Sequence, residues 1–527
     1  MESHTNNENK IKDDVKDSLK SVVLFTKSSS CSNIRGRLSG QQLPMWVQGV
    51  LLYNSPCAGW KNSSSHWMDG LSMMSSFGIH KRGLDISYTK KTLRSEESNR
   101  ENTTETPVPV DTSEGNAVSI YEPTTQTRFN GGFKKLPSFE KNMEIKDNCN
   151  SAFYHFGDLV MATHESAFDR VVDPDFLETR DLIDMSHLFC LKSAVPLKDH
   201  NGDYYNLAAS MVTGNKYHFI KFKRPSSEVI YGSNNFPSET KFVATIPSRF
   251  PGHIGYFHTF GMTDNYLIFC EQPLAYQVDK LKRHKSEGKS FRDCLEWIPQ
   301  ERNHFHIVDK KSGRSLEMNY TTDRPYFFFN FVNCYESGGH LVVDIWSTMG
   351  LNQSKIMRFV LPLNYTDEGI NLNPSQWGDA TAIRRNEIIN LLPSVLTRDA
   401  GMENPRINPY FNFRRYNYTY VVGWIHGMNP KNPYSNAITK IDVESSVMTS
   451  WKTDNEDEHP SEIVFVPNPA WTTEDDGILI SCVSNARNGP GSYLVFINAR
   501  NMQEVARVHF DEAIPFGVHT HFIQRFL

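Results

Sequence analysis

Five segments of this 527-residue chain carry a histidine or a glutamate within or beside short apolar runs. Histidine is the side chain best suited to proton transfer near neutral pH and to metal binding, so these segments are the candidates for chemistry. Each also has a simpler interpretation. A histidine flanked by aromatic residues is usually a hydrogen-bonded core residue, and a glutamate at a strand end is usually solvated or paired. The candidates in chain order are Glu165, His258, Glu403, Glu462 and His519.

Composition and missing motifs exclude several other functions. No Walker loop, G-x-G-x-x-G, H-E-x-x-H or G-x-S-x-G sequence occurs in a convincing context. The net charge of −5 provides no field that would favour nucleic acid. Eight scattered cysteines without a C-x-x-C pair predict reduced thiols rather than a disulfide framework.

The sequence predicts a cytoplasmic protein. Its first twenty residues are polar and lack the apolar stretch of a secretory signal. No run of about 18 apolar residues is long enough for a spanning helix. Peripheral contact with a membrane through surface apolar residues stays open, although no clean amphipathic helix is visible.

The elements that must position these residues are strands. Runs of four to eight Val, Ile, Leu, Phe and Tyr residues are separated by turn clusters, which is typical of β-structure. A hairpin pattern also recurs, in which an apolar strand, an Asp or Asn, a polar turn and a second strand follow one another. Its copies lie at 171–181, 306–318, 439–451 and 495–508. Repeated small sheets favour a propeller, and a pair of β-sandwiches is the alternative that composition cannot exclude.

Polarity divides the chain into one domain and a tail. Residues 1–37 are polar, rich in Ser and Lys and without periodicity, so we expect a disordered N-terminal segment. Residues 38–527 are expected to form a single β-propeller domain. The polar stretch 95–116 reads as a loop inserted within it, because strand-like sequence lies on both sides.

The five segments together resemble the carotenoid cleavage oxygenase family, which includes the β-carotene oxygenases and the retinoid isomerohydrolase of the eye. The resemblance extends from LSGQQLPMWVQGVLLYNSPC, which begins at about residue 38, to IPFGVHTHFI near the end. It implies an all-β fold, a seven-bladed β-propeller with a helical or loop dome over one face. It also implies one Fe(II) ion held by four histidines, with an apolar polyene (carotenoid, apocarotenoid or retinoid) and O₂ as partners.

The resemblance assigns His258 and His519 as two of the four metal ligands. The other two ligand positions have lost their histidines. The segment AVPLKDHNGDYYN places Val195 at the first, and FNFVNCYE places Asn330 at the third. Valine cannot coordinate a metal, and an asparagine amide oxygen is a poor ligand for this iron compared with imidazole.

The same resemblance assigns Glu165, Glu403 and Glu462 as the carboxylates that orient the ligand imidazoles. A site with two histidines could still bind metal if another ligand joined it. His164 is a rescue ligand to consider, although it is adjacent to Glu165 and neighbouring strand residues point to opposite faces. His200, in the DHNGD turn, is expected to face solvent.

Three functions follow from these features. The first is an Fe(II)-dependent dioxygenase that cleaves a double bond of a carotenoid or apocarotenoid. The second is a non-catalytic carotenoid- or retinoid-binding pseudoenzyme that has lost the iron centre. The third is an isomerase or hydrolase that uses another metal or none.

Overall fold

Strands rich in β-branched and aromatic residues make up most of the structure. The computed structural model describes residues 29–57, 70–96, 98–99, 147–222, 240–284, 287, 292–348, 354–397, 402–423, 435–486 and 491–525. The first strands are β1 (Cys31–Arg35), β2 (Arg37–Gly40), β3 (Gly49–Cys57), β4 (Leu71–His80), β5 (Asp85–Thr92), β6 (Ala152–Phe156), β7 (Leu159–Thr163), β8 (Phe168–Val172), β9 (Thr179–Asp184), β10 (Leu191–Lys192), β11 (Leu197–Lys198) and β12 (Tyr204–Ser210).

The middle of the chain continues in the same way. Its strands are β13 (Lys216–Phe222), β14 (Thr240–Pro247), β15 (His253–Gly255), β16 (Gly261–Met262), β17 (Tyr266–Glu271), β18 (Leu274–Gln277), β19 (Leu295–Trp297), β20 (His304–Asp309), β21 (Asn319–Thr322), β22 (Phe327–Ser337), β23 (His340–Thr348), β24 (Ser354–Pro362), β25 (Thr381–Arg385), β26 (Ile388–Leu392) and β27 (Ser394–Val395).

The last part of the chain is also built from strands. They are β28 (Met402–Arg406), β29 (Tyr418–Gly423), β30 (Ala437–Asp442), β31 (Met448–Lys452), β32 (Glu458–Pro460), β33 (Val464–Pro467), β34 (Gly477–Asn485), β35 (Tyr493–Asn498), β36 (Glu504–His509) and β37 (Thr520–Gln524). Helical structure within the described ranges includes α1 (Val278–Arg283) and the 3₁₀ turns Lys81–Gly83, Arg292–Cys294, Ser375–Trp377 and Pro409–Phe411. No helix among the described residues is long and apolar enough to cross a membrane.

The strands pair into small sheets, mostly between neighbours in sequence. The strand orders are β1-β5-β4-β3-β37, β6-β7-β8-β9, β10-β12-β13-β14, β15-β18-β19, β16-β17-β20-β21-β26-β25, β22-β23-β24-β27, β28-β29-β30-β31 and β2-β36-β35-β34-β32, with β11 pairing β12 and β33 pairing β34. Pairing is antiparallel except between β21 and β26.

Two pairings join the beginning of the described chain to its end. Strand β37 pairs with β3, and β2 pairs with β36, so each of these two sheets contains strands from both ends. Buried apolar clusters lie between successive sheets. One of them packs Phe77 and Tyr88 of the first sheet against Phe496 and Val508 of the last. Sheets packed in succession and closed end to end are the arrangement that a propeller requires.

The four predicted hairpins are confirmed and share one turn chemistry. In each, the side chain of an Asp or Asn accepts hydrogen bonds from backbone N–H groups two or three residues later, for example Asp442 from Glu444 N at 2.9 Å and Ser445 N at 3.0 Å. Each turn then contains a residue with positive φ, namely Leu177, Gly313, Ser446 and Met502. The carboxylate or amide replaces the hydrogen bonds that the reversing backbone loses.

The described residues correct one expected boundary. The disorder expected for residues 1–37 is wrong at its C-terminal end, because β1 pairs with β5 and β2 pairs with β36. Residues 1–28 and most of the polar stretch 95–116 lie outside the described residues. The single domain over 38–527, the count of seven blades and the dome stay predictions. All eight cysteines are free thiols, as expected.

Candidate metal centre

The fold brings His258 and His519 face to face. His258 lies between β15 and β16, and His519 immediately precedes β37. Their Nε2 atoms are 3.0 Å apart, and the rings are stacked with centroids 5.1 Å apart. Both side chains are buried, with 1 % and 6 % exposed. We call this pair the two-histidine site.

Glu165 fixes the outer nitrogen of His258. Its Oε1 lies 2.6 Å from His258 Nδ1 and also accepts a hydrogen bond from the Tyr256 hydroxyl at 3.0 Å. Burial alone would raise the pKa of Glu165, but hydrogen bonds, of which that with His258 has the largest effect, outweigh burial and the pKa is lowered. The carboxylate is therefore ionised at neutral pH and holds the proton of His258 on Nδ1.

Glu462 has the same relation to His519, with further support. Its Oε1 lies 3.4 Å from His519 Nδ1, and its Oε2 accepts hydrogen bonds from Thr520 N and Arg406 Nη2, both at 2.7 Å. Burial would raise the pKa of Glu462, but Arg406 and His519 lower it to about 2. Burial lowers the pKa of His519 despite the opposing effect of Glu462, so its ring is neutral at pH 7.

In the tautomer in which each carboxylate holds a proton on Nδ1, both inner nitrogens are acceptors. A neutral imidazole carries one proton, and Nδ1 holds it when the carboxylate is its partner. The two Nε2 lone pairs then meet at 3.0 Å, a repulsive arrangement that a cation between them would remove. Two nitrogens bound at right angles to one metal at about 2.1 Å would lie about 3.0 Å apart. The pair fits as half of a metal-ligand set.

Arg406 should contribute strongly to stability, because it neutralises a carboxylate that is only 3 % exposed. We expect Arg406→Gln to lower the free energy of unfolding at pH 7 by about 3 kcal/mol, since it leaves Glu462 charged and buried. The contribution of Glu462 is present above its unfolded pKa of 4.5 and is lost as the pH falls towards about 2. Urea unfolding at pH 7 and pH 3 measures both effects.

The matched control is Arg415→Gln, which breaks the exposed pair between Arg415 and Glu444 at 3.0 Å. We expect a loss below about 1 kcal/mol, as is usual for surface pairs. Equal losses in the two variants would contradict the role assigned to Arg406.

Val195 stands at one of the two missing ligand positions. It is partly buried in the segment between β10 and β11, and its N–H donates to Ser193 Oγ at 3.1 Å. The same hydroxyl lies 2.6 Å from the carbonyl oxygen of His258. Ser193 thus ties the Val195 backbone to the two-histidine site, and Val195 brings an alkyl side chain where the resemblance expects an imidazole.

Asn330 stands at the other missing position. It is 8 % exposed and lies on β22 between two irregularities in the pairing with β23. The preceding residue, Phe329, stacks on His258 with ring centroids 4.5 Å apart. The strand therefore passes directly beside the two-histidine site. An amide can offer one oxygen there, which is weaker than imidazole as a ligand for Fe(II).

Glu403 lacks the kind of partner that the other two glutamates have. It lies on β28, where the pairing with β29 is irregular between Glu403 and Arg406 and Asn404 has a φ of 48°. Burial raises the pKa of Glu403 to about 7, and neither a hydrogen bond nor a charge from a described residue offsets it. This carboxyl is half protonated near neutral pH.

Neither His164 nor His200 adds a third metal ligand to the two-histidine site. Within the described ranges, no group of three or more His, Cys, Asp and Glu side chains is arranged to hold a metal ion. His164 is half-buried, and His200 is 44 % exposed with Nε2 3.3 Å from Asp264. The exposure expected for His200 is confirmed.

Three residues that contact the site could not be identified from the sequence. Arg406, Tyr256 and Ser193 are ordinary polar residues until the fold places them on Glu462, Glu165 and the His258 backbone. The only signal was their short distance in sequence from Glu403, His258 and Val195.

Comparison with known proteins identifies the family. The family model described as retinal pigment epithelial membrane protein matches residues 30–524. The chain belongs to this family, the carotenoid cleavage oxygenases. It is 30 % identical to the β,β-carotene 15,15′-dioxygenase of Gallus gallus, over 93 % of this chain and 95 % of that one. It is 28 % identical to the mitochondrial carotenoid-cleaving dioxygenase of Homo sapiens, over 95 % and 90 %.

Solved structures confirm the fold. A single-residue variant of an apocarotenoid oxygenase of Synechocystis superposes with a TM-score of 0.72 at 18 % identity over 97 % of this chain and 99 % of that one. A lignostilbene dioxygenase of Pseudomonas brassicacearum gives 0.71 at 15 % identity, over 95 % and 97 %. This carotenoid oxygenase-family protein is an all-β propeller, and the sandwich alternative is excluded.

Proposed function

We propose that the protein is a metal-dependent oxygenase that cleaves a double bond of a carotenoid or apocarotenoid with O₂. The observation that carries the proposal is the pair of buried imidazoles, each with a carboxylate on its outer nitrogen and with inner nitrogens 3.0 Å apart. The full-length relatives named as carotenoid-cleaving dioxygenases support the substrate class.

The proposed cofactor is one Fe(II) ion, which would be held by His258 and His519 and would supply the activation of O₂ when bound. The protein's own residues orient these ligands. Glu165 and Glu462 keep both Nδ1 atoms protonated, so that both Nε2 atoms remain acceptors. Arg406 keeps Glu462 ionised.

Apolar contacts define the surroundings of His258. Phe329 covers one face of its ring and itself meets Trp346 edge-on at 5.4 Å. Such aromatic surfaces exclude water and suit a conjugated hydrocarbon better than a polar substrate. This supports a polyene as the molecule bound beside the two-histidine site.

A second function is favoured by Val195 and Asn330. A site with two imidazoles binds iron more weakly than one with four, because losing even an outer partner of a ligand typically costs about 10- to 100-fold in metal affinity. On this alternative the protein binds a carotenoid or retinoid without cleaving it. The propeller is then a carrier or a sensor, and the paired histidines are a remnant of the metal centre.

One experiment separates the two functions. The full chain is loaded anaerobically with Fe(II), freed of excess metal, assayed for bound iron and then incubated with β-carotene and an apocarotenal in air. If the protein is the oxygenase, we expect about one iron ion per chain. We also expect the polyene absorption to disappear and aldehydes to form. A shifted polyene band without products would favour the carrier, and neither binding nor turnover would overturn both.

The variant His258→Ala should lose the iron and the cleavage together. His253→Ala is the matched control, because His253 lies five residues earlier, is 20 % exposed, and its ring contacts Glu296 and the Pro251 carbonyl rather than the two-histidine site. Equal loss in both variants would mean that misfolding and not ligand removal is responsible.

The cytoplasmic location expected from the sequence stays a proposal, because human and other relatives are named mitochondrial. Fractionation of cells that express the full chain tests it.

A further inference from the structure

A pocket of about 330 Å³ opens on the surface beside the loop between β28 and β29. Its walls include His200, Tyr410, Phe411, Arg414, Arg415 and Trp471. No residue that lines this pocket hydrogen-bonds to His258 or His519 in the described structure. Its lining includes none of His258, His519, Glu165 and Glu462, and we call it the aromatic–arginine pocket.

One wall of the pocket consists of three aromatic rings. Trp471 stacks with Tyr410 at 6.3 Å between centroids and meets Phe411 edge-on at 5.8 Å. Trp471 and Tyr410 remain 43 % and 49 % exposed. Large aromatic side chains left open to solvent and grouped in one concavity are typical of a surface that binds a flat apolar body.

Buried amide groups hold this wall in place. The Asn408 side chain, 1 % exposed, accepts from Tyr410 N at 3.1 Å and donates to the carbonyl of Glu474 at 2.7 Å. It thereby fixes the turn that carries Tyr410 to the segment that follows Trp471. The rings are positioned before any ligand arrives, which reduces the cost of binding.

A second buried amide, that of Asn333, holds the part of the same loop that carries Arg414. Asn333, 6 % exposed, donates to the carbonyls of Phe411 and Arg414 and accepts from Phe413 N at 2.9 Å. Phe413 has a φ of 67°, which is costly for an aromatic residue. The hydrogen bonds to Asn333 hold this loop conformation.

The charges of the lining residues favour an anionic ligand. The residues that line it include two arginines and a histidine but no carboxylate. Arg415 is paired with Glu444 and His200 with Asp264. Arg414 is exposed and forms no ion pair with any residue that the structure describes. Its planar guanidinium is suited to bind a carboxylate through two parallel hydrogen bonds.

We propose that the aromatic–arginine pocket binds a small planar carboxylate, whose conjugated body lies on Trp471 and Tyr410 and whose charge pairs with Arg414. The volume is at the lower end of the range for small-molecule sites, which limits the ligand to about two fused rings or a short conjugated chain. This function is independent of the metal centre, so its test does not depend on iron or on cleavage.

The test measures binding of 2-naphthoate to the full chain by calorimetry, with 2-naphthylmethanol as the neutral analogue. We expect saturable binding of the acid and at least about 10-fold weaker binding of the alcohol. Trp471→Ala should lower the affinity for 2-naphthoate by at least about 10-fold, and Arg414→Gln should lower it by about 5- to 10-fold. Neither change should alter the thermal midpoint much, because both side chains are exposed.

Matched controls lie elsewhere on the surface. Trp297, with 41 % exposed, is the control for Trp471, and exposed Arg385 is the control for Arg414. Trp297→Ala and Arg385→Gln should leave the affinity unchanged. Equal affinity for the acid and the alcohol, no binding of either, or equal effects of pocket and control variants would overturn the proposal.

Discussion

The double variant Val195→His, Asn330→His is expected to bind Fe(II) at least about 100-fold more tightly than the natural chain. It returns imidazoles to the two positions that the resemblance assigns to metal ligands, and both segments contact His258, one through Ser193 and the other through Phe329. Loss of an outer partner alone typically costs about 10- to 100-fold, so two direct ligands should contribute more. Iron content after dialysis against graded chelator concentrations measures the change.

The matched control is Val195→Phe, Asn330→Phe, which adds rings of similar size without a ligating nitrogen. It should show no gain in iron. A gain in the control would mean that ring volume and not coordination is responsible. If the histidine variant remains folded and gains no iron, then His258 and His519 are not placed as metal ligands.

The hairpin architecture could be predicted from the sequence because its signal is local. An Asp or Asn at the end of one strand supplies the acceptor for the turn, as Asp442 and Asn498 do, and the apolar runs on each side become the paired strands. Strands β1 and β2 were missed for the opposite reason. Their partners β5 and β36 lie far away in the chain, and their polar sequence CSNIRGRLSG carries no apolar run.

The site was only half predictable. The resemblance assigned His258, His519, Glu165 and Glu462 to one centre but did not say which carboxylate meets which imidazole. The structure pairs His258 with Glu165 and His519 with Glu462, which are 93 and 57 residues apart. Arg406 could not be foreseen, because the resemblance assigns it no role and 56 residues separate it from Glu462. The histidine pair His155 and His521, with ring nitrogens 2.9 Å apart, also has no sequence signal.

Glu403→Gln is expected to stabilise the protein by about 3 kcal/mol at pH 8 and to have no effect near pH 4. Burial raises the pKa of Glu403 from 4.5 in the unfolded chain to about 7 in the folded protein. Between these values the folded protein binds more protons, so this group lowers the stability as the pH rises from about 4.5 to 7, and the loss is complete above 7. With about 1.4 kcal/mol per pH unit, the loss is about 3 kcal/mol.

Urea unfolding of both proteins at pH 4, 6 and 8 measures the difference, and Glu387→Gln at an exposed position is the control. In a background that already contains Asn330→His, the stabilisation by Glu403→Gln should disappear, because the new imidazole offers the carboxylate the donor that it lacks. A stabilisation that persists in that background would show that Glu403 does not face position 330. A destabilisation at pH 8 in the natural background would show that the carboxylate already has a partner.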